Sequence, residues 1–209
     1  MEIRSLRDIQ PGEECFIHYV NVLQTVNVRR KKLYDNYRFW CECLRCKREL
    51  KILADTAIGD RLKLEETEAK AQTFLAKIDK EFDENYYKML ETCETGLDAV
   101  QNDLDTTNPH MAQLHVRTQE ACIGLQKWKA AVKSGMEIIR ACKTHLLPTD
   151  PILGFHMWRV AKIQAVTLNQ PIVARDLLQQ AIDVMSIGYG STHPMTMEAK
   201  ELLGTIIDQ

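Results

Sequence analysis

The sequence predicts a mainly α chain: an N-terminal β-hairpin, then a small cysteine-rich segment, then stacked antiparallel helix pairs. Three observations carry this prediction. Asn108-Pro109, Asp150-Pro151 and His193-Pro194 recur at intervals of 42 and 43 residues, each placing proline where a helix opens. Cys41, Cys43 and Cys46 fall within six residues, directly behind the aromatic pair Tyr37 and Phe39. Residues 15–20, Cys-Phe-Ile-His-Tyr-Val, are rich in aromatic and β-branched types, as strands are.

Composition limits what these elements can be. The chain has 209 residues, 45% of them hydrophobic, enough to bury a core. No run approaches the roughly 18 apolar residues of a membrane span, and Met1-Glu2-Ile3-Arg4 has neither the apolar core nor the cleavage site of a signal peptide. These features lead us to expect no membrane association and residence in the reducing cytoplasm and nucleus. Seven cysteines, an odd number with three clustered, fit free thiols and a metal cluster better than a disulfide framework. Net charge is -2, but residues 1–53 carry eleven Lys and Arg against seven Asp and Glu, while the remainder is acidic. That asymmetry places a boundary near residue 53.

The hairpin is expected over residues 3–19. Ile3 and Leu6 alternate with polar residues, and Gln10-Pro11-Gly12-Glu13 supplies the turn, with proline presetting its own φ and glycine permitting a positive one. A lone hairpin is barely stable in water and needs another layer over its apolar face. A polar helix follows over about 27–36, with Asn27 as a possible cap. It contains Arg29-Arg30-Lys31-Lys32, which reads as a solvated helix face with Leu33 and Tyr37 on the other side, rather than as a nucleic-acid contact.

The helix leads into Cys-x-Cys-x-x-Cys. Cys41, Cys43 and Cys46 can supply three thiolates to a tetrahedral zinc, which structural sites close with a fourth Cys or His. The fourth ligand is not evident; Cys15 and His18 are the nearest candidates, and three unliganded thiols are the alternative. His110, His115, His145, His156 and His193 are not at metal-ligand spacing and read as caps or packing groups.

Helices are expected from Asp60 to about Lys80 and from Glu84 to about Asn102, followed by two helices per repeat. Within the repeats, Trp128, Ala131, Val132, Gly135, Met136, Ile139 and Cys142 form one apolar stripe. Val173, Ala174, Leu177, Leu178, Ala181 and Met185 form another. The small residues Ala131, Gly135, Ala174 and Ala181 allow close helix approach. The pattern is tetratricopeptide-like, with a period longer than the roughly 34 residues of that repeat. Lys127, Lys129, Lys133 and Arg140 are candidates for holding a peptide carboxylate, or form a solvated face.

Taken together, Gly12-Glu13-Glu14, a strand ending in Tyr19, a basic helix and Tyr37-x-Phe39-x-Cys41-x-Cys43-x-x-Cys46 resemble a known family. They are similar to the end of the SET domain and the post-SET zinc segment of the SET and MYND domain-containing protein-lysine methyltransferases. The resemblance is close over residues 1 to about 50 and looser through the helices, where that family carries tetratricopeptide-like pairs. It implies residues 1–36 as the C-terminal part of a SET domain, 37–53 as a post-SET segment and 54–209 as the helical domain. It implies S-adenosylmethionine as cofactor, a protein lysine, histone or non-histone, as substrate, and a chaperone tail peptide as a partner of the helices. Tyr19 then matches the active-site tyrosine beside the target amine, Tyr37 a wall of the lysine channel, and Phe39 the ring that stacks on the cofactor's adenine. Cys41, Cys43 and Cys46 match zinc ligands that pin this aromatic lid.

The family's Asn-His-Ser-Cys-x-Pro-Asn segment, its glycine-containing cofactor strand and its MYND module have no counterpart in the 209 residues. The expectation is therefore of the C-terminal portion of a methyltransferase, inactive as an isolated chain. The alternative is a helical-repeat interaction module bearing a small zinc knot and no catalysis.

Overall fold

A computed structural model describes residues 3–81 and 85–207. Among them lie α1 (Val26–Tyr37), α2 (Leu44–Asp55), α3 (Ile58–Glu81), α4 (Tyr86–Val100), α5 (Pro109–Gly124), α6 (Trp128–His145), α7 (Pro151–Lys162), α8 (Pro171–Gly188) and α9 (Pro194–Ile207). A π-helical turn, Ile163–Thr167, extends α7. The mainly α class holds, and the expected start of the fourth helix at Glu84 lies outside the described residues. No helix among those described is long and apolar enough to cross a membrane.

The hairpin does not form. Among the described residues there is no strand, although the turn is present: Glu13 N–H donates to the Gln10 carbonyl at 3.0 Å and Gly12 takes φ +85°. The reason is backbone pairing. A strand needs a ladder of N–H and C=O partners, and residues 14–20 have no backbone–backbone hydrogen bond among the described residues, while Phe16 and Ile17 remain 77% and 67% exposed.

The chain divides into two compact units, Phe16–Leu114 and Met1–Cys15 with His115–Gln209. In the first, α1 is capped by Thr25 in extended conformation, not by Asn27, which stands inside the first turn. It ends at Arg38, whose φ of 62° is left-handed and whose N–H closes on the Tyr34 carbonyl at 2.9 Å. The second helix, α2, was not expected. Cys43 is its N-cap and Cys46 its third residue, so Cys43 Sγ accepts the Cys46 N–H at 3.5 Å, as a serine or aspartate oxygen would. Helices α3 and α4 form an antiparallel pair. Lys63, near the start of α3, meets Asp103, just past the end of α4, at 2.6 Å. Gly96 of α4 faces Phe74 of α3 where an added Cβ would be only 3.1 Å from the ring.

The second unit shows why the proline dipeptides recur. The residue before each proline accepts the N–H of the residue after it: Asp150 Oδ1 takes Ile152 N–H at 2.9 Å and His193 Nδ1 takes Met195 N–H at 3.3 Å. In the first unit, at the start of α5, Asn108 Oδ1 takes His110 N–H at 2.8 Å. Each repeat thus opens with a capping acceptor followed by a residue that has no N–H to satisfy. The expected apolar stripes are present but rotated. Helix α6 buries Ala131, Ser134, Gly135, Ile138, Ile139, Ala141 and Cys142 and leaves Met136 exposed; α8 buries Ala174, Leu178, Ala181, Ile182 and Met185 and leaves Val173 exposed. Close approach is real. A Cβ on Gly135 would collide with Val160 of α7 and Gln119 of α5. Ala161, Ala174, Leu178, Ile182 and Ala199 form the core joining α7, α8 and α9.

Candidate functional site

The left-handed turn at Arg38 organises the site. It stops α1 at Tyr37 and reverses the chain so that Phe39 follows Tyr37 across the turn. Both rings then meet Tyr19: ring centroids lie 5.1 Å apart for Tyr19 and Tyr37 and 6.2 Å for Tyr19 and Phe39, both edge-to-face. Three residues separated by up to twenty positions therefore share one aromatic cluster. It is open, each ring being between 40% and 53% exposed.

A second aromatic layer braces the same turn. Tyr34 stacks on Trp40 with centroids 4.6 Å apart; the Arg38 guanidinium lies 5.8 Å over Tyr34, and the Arg30 guanidinium 5.0 Å over Trp40. Such cation–π contacts contribute about 0.5–1 kcal/mol at exposed sites. Sequence reasoning missed this layer.

The thiols follow immediately. Among the described residues, Cys41, Cys43 and Cys46 form a metal-capable group, with all Sγ atoms within 4.8 Å of one another. Zinc–sulfur bonds of about 2.3 Å in tetrahedral geometry place sulfurs about 3.8 Å apart, so modest side-chain closing completes three corners of a zinc site. The donor set fits zinc. Neither Cys15 nor His18 joins the group. None of the seven cysteines is in a disulfide, and Cys93, Cys122 and Cys142 are buried in the helical cores. Burial pushes the Cys46 thiol up to about 11. Burial also opposes ionisation of Cys43, but hydrogen bonds from the Cys46 N–H and the neighbouring thiols outweigh it and leave that thiol below the ordinary cysteine value.

The basic run is not wholly solvated, contrary to the sequence reading. Arg29 is 4% exposed. Its Nη2 donates to Glu49 Oε2 of α2 at 2.6 Å and lies 3.6 Å from Cys46 Sγ, and its Nη1 donates to the Gln24 carbonyl. Arg45 Nε takes the other Glu49 oxygen at 2.6 Å, and its Nη1 donates to the Val22 carbonyl at 2.9 Å. Burial raises the Glu49 carboxyl, but the two guanidinium groups outweigh it and hold the group below the usual carboxylate range. A signal existed in the sequence. Val26, Arg29 and Leu33 are spaced by three and four, so Arg29 occupies the buried stripe of α1.

No family model matches the chain. It is similar to the N-lysine methyltransferase SMYD2 of Gallus gallus, 29% identical over 220 residues, covering 97% of this chain and 48% of that protein. The Homo sapiens and Rattus norvegicus proteins of the same name are each 27% identical over 207 residues, covering 96% of this chain and 48% of theirs. The chain thus spans about half the length of the curated relatives it matches. The likeness to these N-lysine methyltransferases covers 96–97% of this chain, and so includes both the aromatic and thiol cluster and the helix pairs.

Proposed function

We propose that the chain forms the lysine-channel wall and cofactor lid of an S-adenosylmethionine-dependent protein-lysine methyltransferase. The observation that carries this reading is the convergence of Tyr19, Tyr37 and Phe39, which backbone pairing does not explain and which the thiol cluster adjoins. The substrate is a lysine of a histone or non-histone protein.

Bound S-adenosylmethionine supplies an activated methyl on a sulfonium centre. Transfer to an amine needs alignment and a dry channel rather than an acid–base pair. Tyr37 presents an aromatic wall to the lysine stem and favours its cationic head. Tyr19 offers a hydroxyl that accepts from the amine and orients its lone pair. Phe39 offers a flat face for adenine. Cys41, Cys43 and Cys46 would hold a structural zinc, which fixes the loop carrying Phe39 and takes no part in the transfer.

The test is methylation of histone and non-histone lysine with labelled cofactor, by the chain itself and by the chain fused behind the N-terminal half of the chicken relative. We expect transfer by the fusion to fall at least a hundredfold in Tyr19→Phe. Equal transfer by the two would overturn the role of Tyr19.

A second reading, a helical-repeat module that binds a peptide such as an acidic chaperone tail, has one observation in its favour. A groove of about 300 Å³ in the second unit is lined by Trp128, Phe155 and Trp158 with Arg159 and Lys162. Lys127, Lys129, Lys133 and Arg140 are exposed and do not line it.

A further inference from the structure

Glu49 sits between the Arg29 and Arg45 guanidinium groups. Arg29 also turns Nη2 towards Cys46 Sγ, which is 2% exposed, at 3.6 Å. Three thiolates around a divalent zinc carry one negative charge, and a buried charge of one sign needs a hydrogen-bonded partner of the other. A buried cationic donor aimed at Cys46 Sγ suits a thiolate that ligates a metal. The same guanidinium reaches the Gln24 carbonyl and Glu49, joining the segment after Tyr19 and the helix carrying Tyr37 to the helix carrying Cys46.

We propose that Arg29 is a positioning residue for the metal site: it donates a hydrogen bond to Cys46 as a ligating thiolate and couples metal occupancy to the placement of Tyr19 and Tyr37. This rests on the reading that the three cysteines hold zinc. Outer partners of metal ligands set affinity by roughly 10- to 100-fold. A thiolate that loses an N–H donor becomes a better electron donor to the metal, so its charge-transfer absorption moves to lower energy.

The experiment loads the full chain with cobalt(II) as a zinc probe and measures affinity by chelator competition and the thiolate-to-cobalt absorption band. In the unmodified chain we expect one cobalt per chain with that band; a chain that takes up none refutes the metal reading itself. Arg29→Met, checked for native helix content, should bind about tenfold more weakly or worse, with its band at lower energy. Glu49→Gln, which keeps the guanidinium, should change affinity less than threefold and leave the band in place. Equal losses in Arg29→Met and Glu49→Gln with an unmoved band would reduce Arg29 to an ordinary ion pair and overturn the proposal. If Arg29→Met does not fold, Arg29→Lys decides. Its single ammonium cannot reproduce the fork to Glu49, Gln24 and Cys46, so weaker binding and a lower-energy band are again expected, and no change in either overturns the proposal.

Discussion

The helices α6 to α9 and the pair α1 and α2 are stabilised by opposite means. Where α7, α8 and α9 meet, the apolar core is of mostly small residues: Ala161, Ala174, Leu178, Ile182 and Ala199. Helix α1 buries only Val26, Arg29 and Leu33, and α2 only Cys46. The stack is built to bury area, whereas the helix pair is built around a charged node and a thiol cluster. The lesson concerns what each can tolerate: the stack depends on volume, the pair on its charged partners.

The largest expected effect tests the volume side. Leu178→Ala removes a side chain with no exposure from the centre of that core. Such truncations cost about 2–5 kcal/mol, rising with the cavity left. Urea denaturation should show a loss of about 3 kcal/mol, while zinc content per chain stays unchanged. A loss of zinc in this variant would show that the two modes of stabilisation are not separate.

Acid should strike the stack through one residue. Burial, aided by the Arg159 charge, depresses the pKa of His156 in α7 from 6.5 to about 4. The unfolded chain therefore binds a proton between these values that the folded chain refuses. The His156 contribution is intact above pH 6.5 and is lost progressively as pH falls towards 4, by up to about 3 kcal/mol. Stability measured across that window should slope upward with pH, and His156→Phe should flatten the slope even if it shifts the absolute value. An unchanged slope would assign the effect to other groups.

Metal removal tests the other side. Cys46 is buried beside Arg29, and Cys142 lies in the stack with no exposure, its thiol pushed by burial up to about 12. Loading with zinc and then chelating it should raise the rate of Cys43 alkylation by about tenfold or more, because Cys43 is exposed and its thiol lies below the ordinary cysteine value, whereas buried Cys46 should follow more slowly. Cys142 should stay unreactive until the chain unfolds. Mass-spectrometric mapping of the labelled cysteines separates Cys43 from Cys142, and equal labelling would mean that chelation loosens the stack as well.

How much of this was legible in the sequence follows the same division. The helix pairs were readable because apolar burial leaves a periodic trace and each repeat announces itself with proline. The stripes came out turned, with Met136 and Val173 facing solvent, because a hydrophobic pattern fixes the period better than its phase. The cysteine cluster was readable from spacing, but α2 was not, since a thiol serving as an N-cap has no established sequence signature. Residues 15–20 were misread: β-branched and aromatic types express a preference that only a paired backbone realises. Burial of Arg29 was hidden by its neighbours, as a run of four basic residues reads as surface unless the helical phase of each is followed.

The smallest effects lie in the caps, where the repeats can be compared among themselves. Asn108, Asp150 and His193 perform one task with three chemistries, accepting the N–H two residues on at 2.8, 2.9 and 3.3 Å. Asparagine and aspartate caps contribute about 1 kcal/mol over alanine. A carboxylate also meets the positive end of the helix dipole, which adds a few tenths of a kcal/mol up to about 1. Asp150 is 3% exposed, so its substitution also leaves the Ile152 N–H unpaired away from water. Alanine at each position should therefore destabilise in the order Asp150, Asn108, His193, from about 1.5 kcal/mol down to about 0.5 kcal/mol. If His193→Ala instead costs as much as Asp150→Ala at neutral pH, the long imidazole contact is worth as much as a buried carboxylate, and the stacking of Tyr189 on the His193 ring at 4.9 Å is what makes it so.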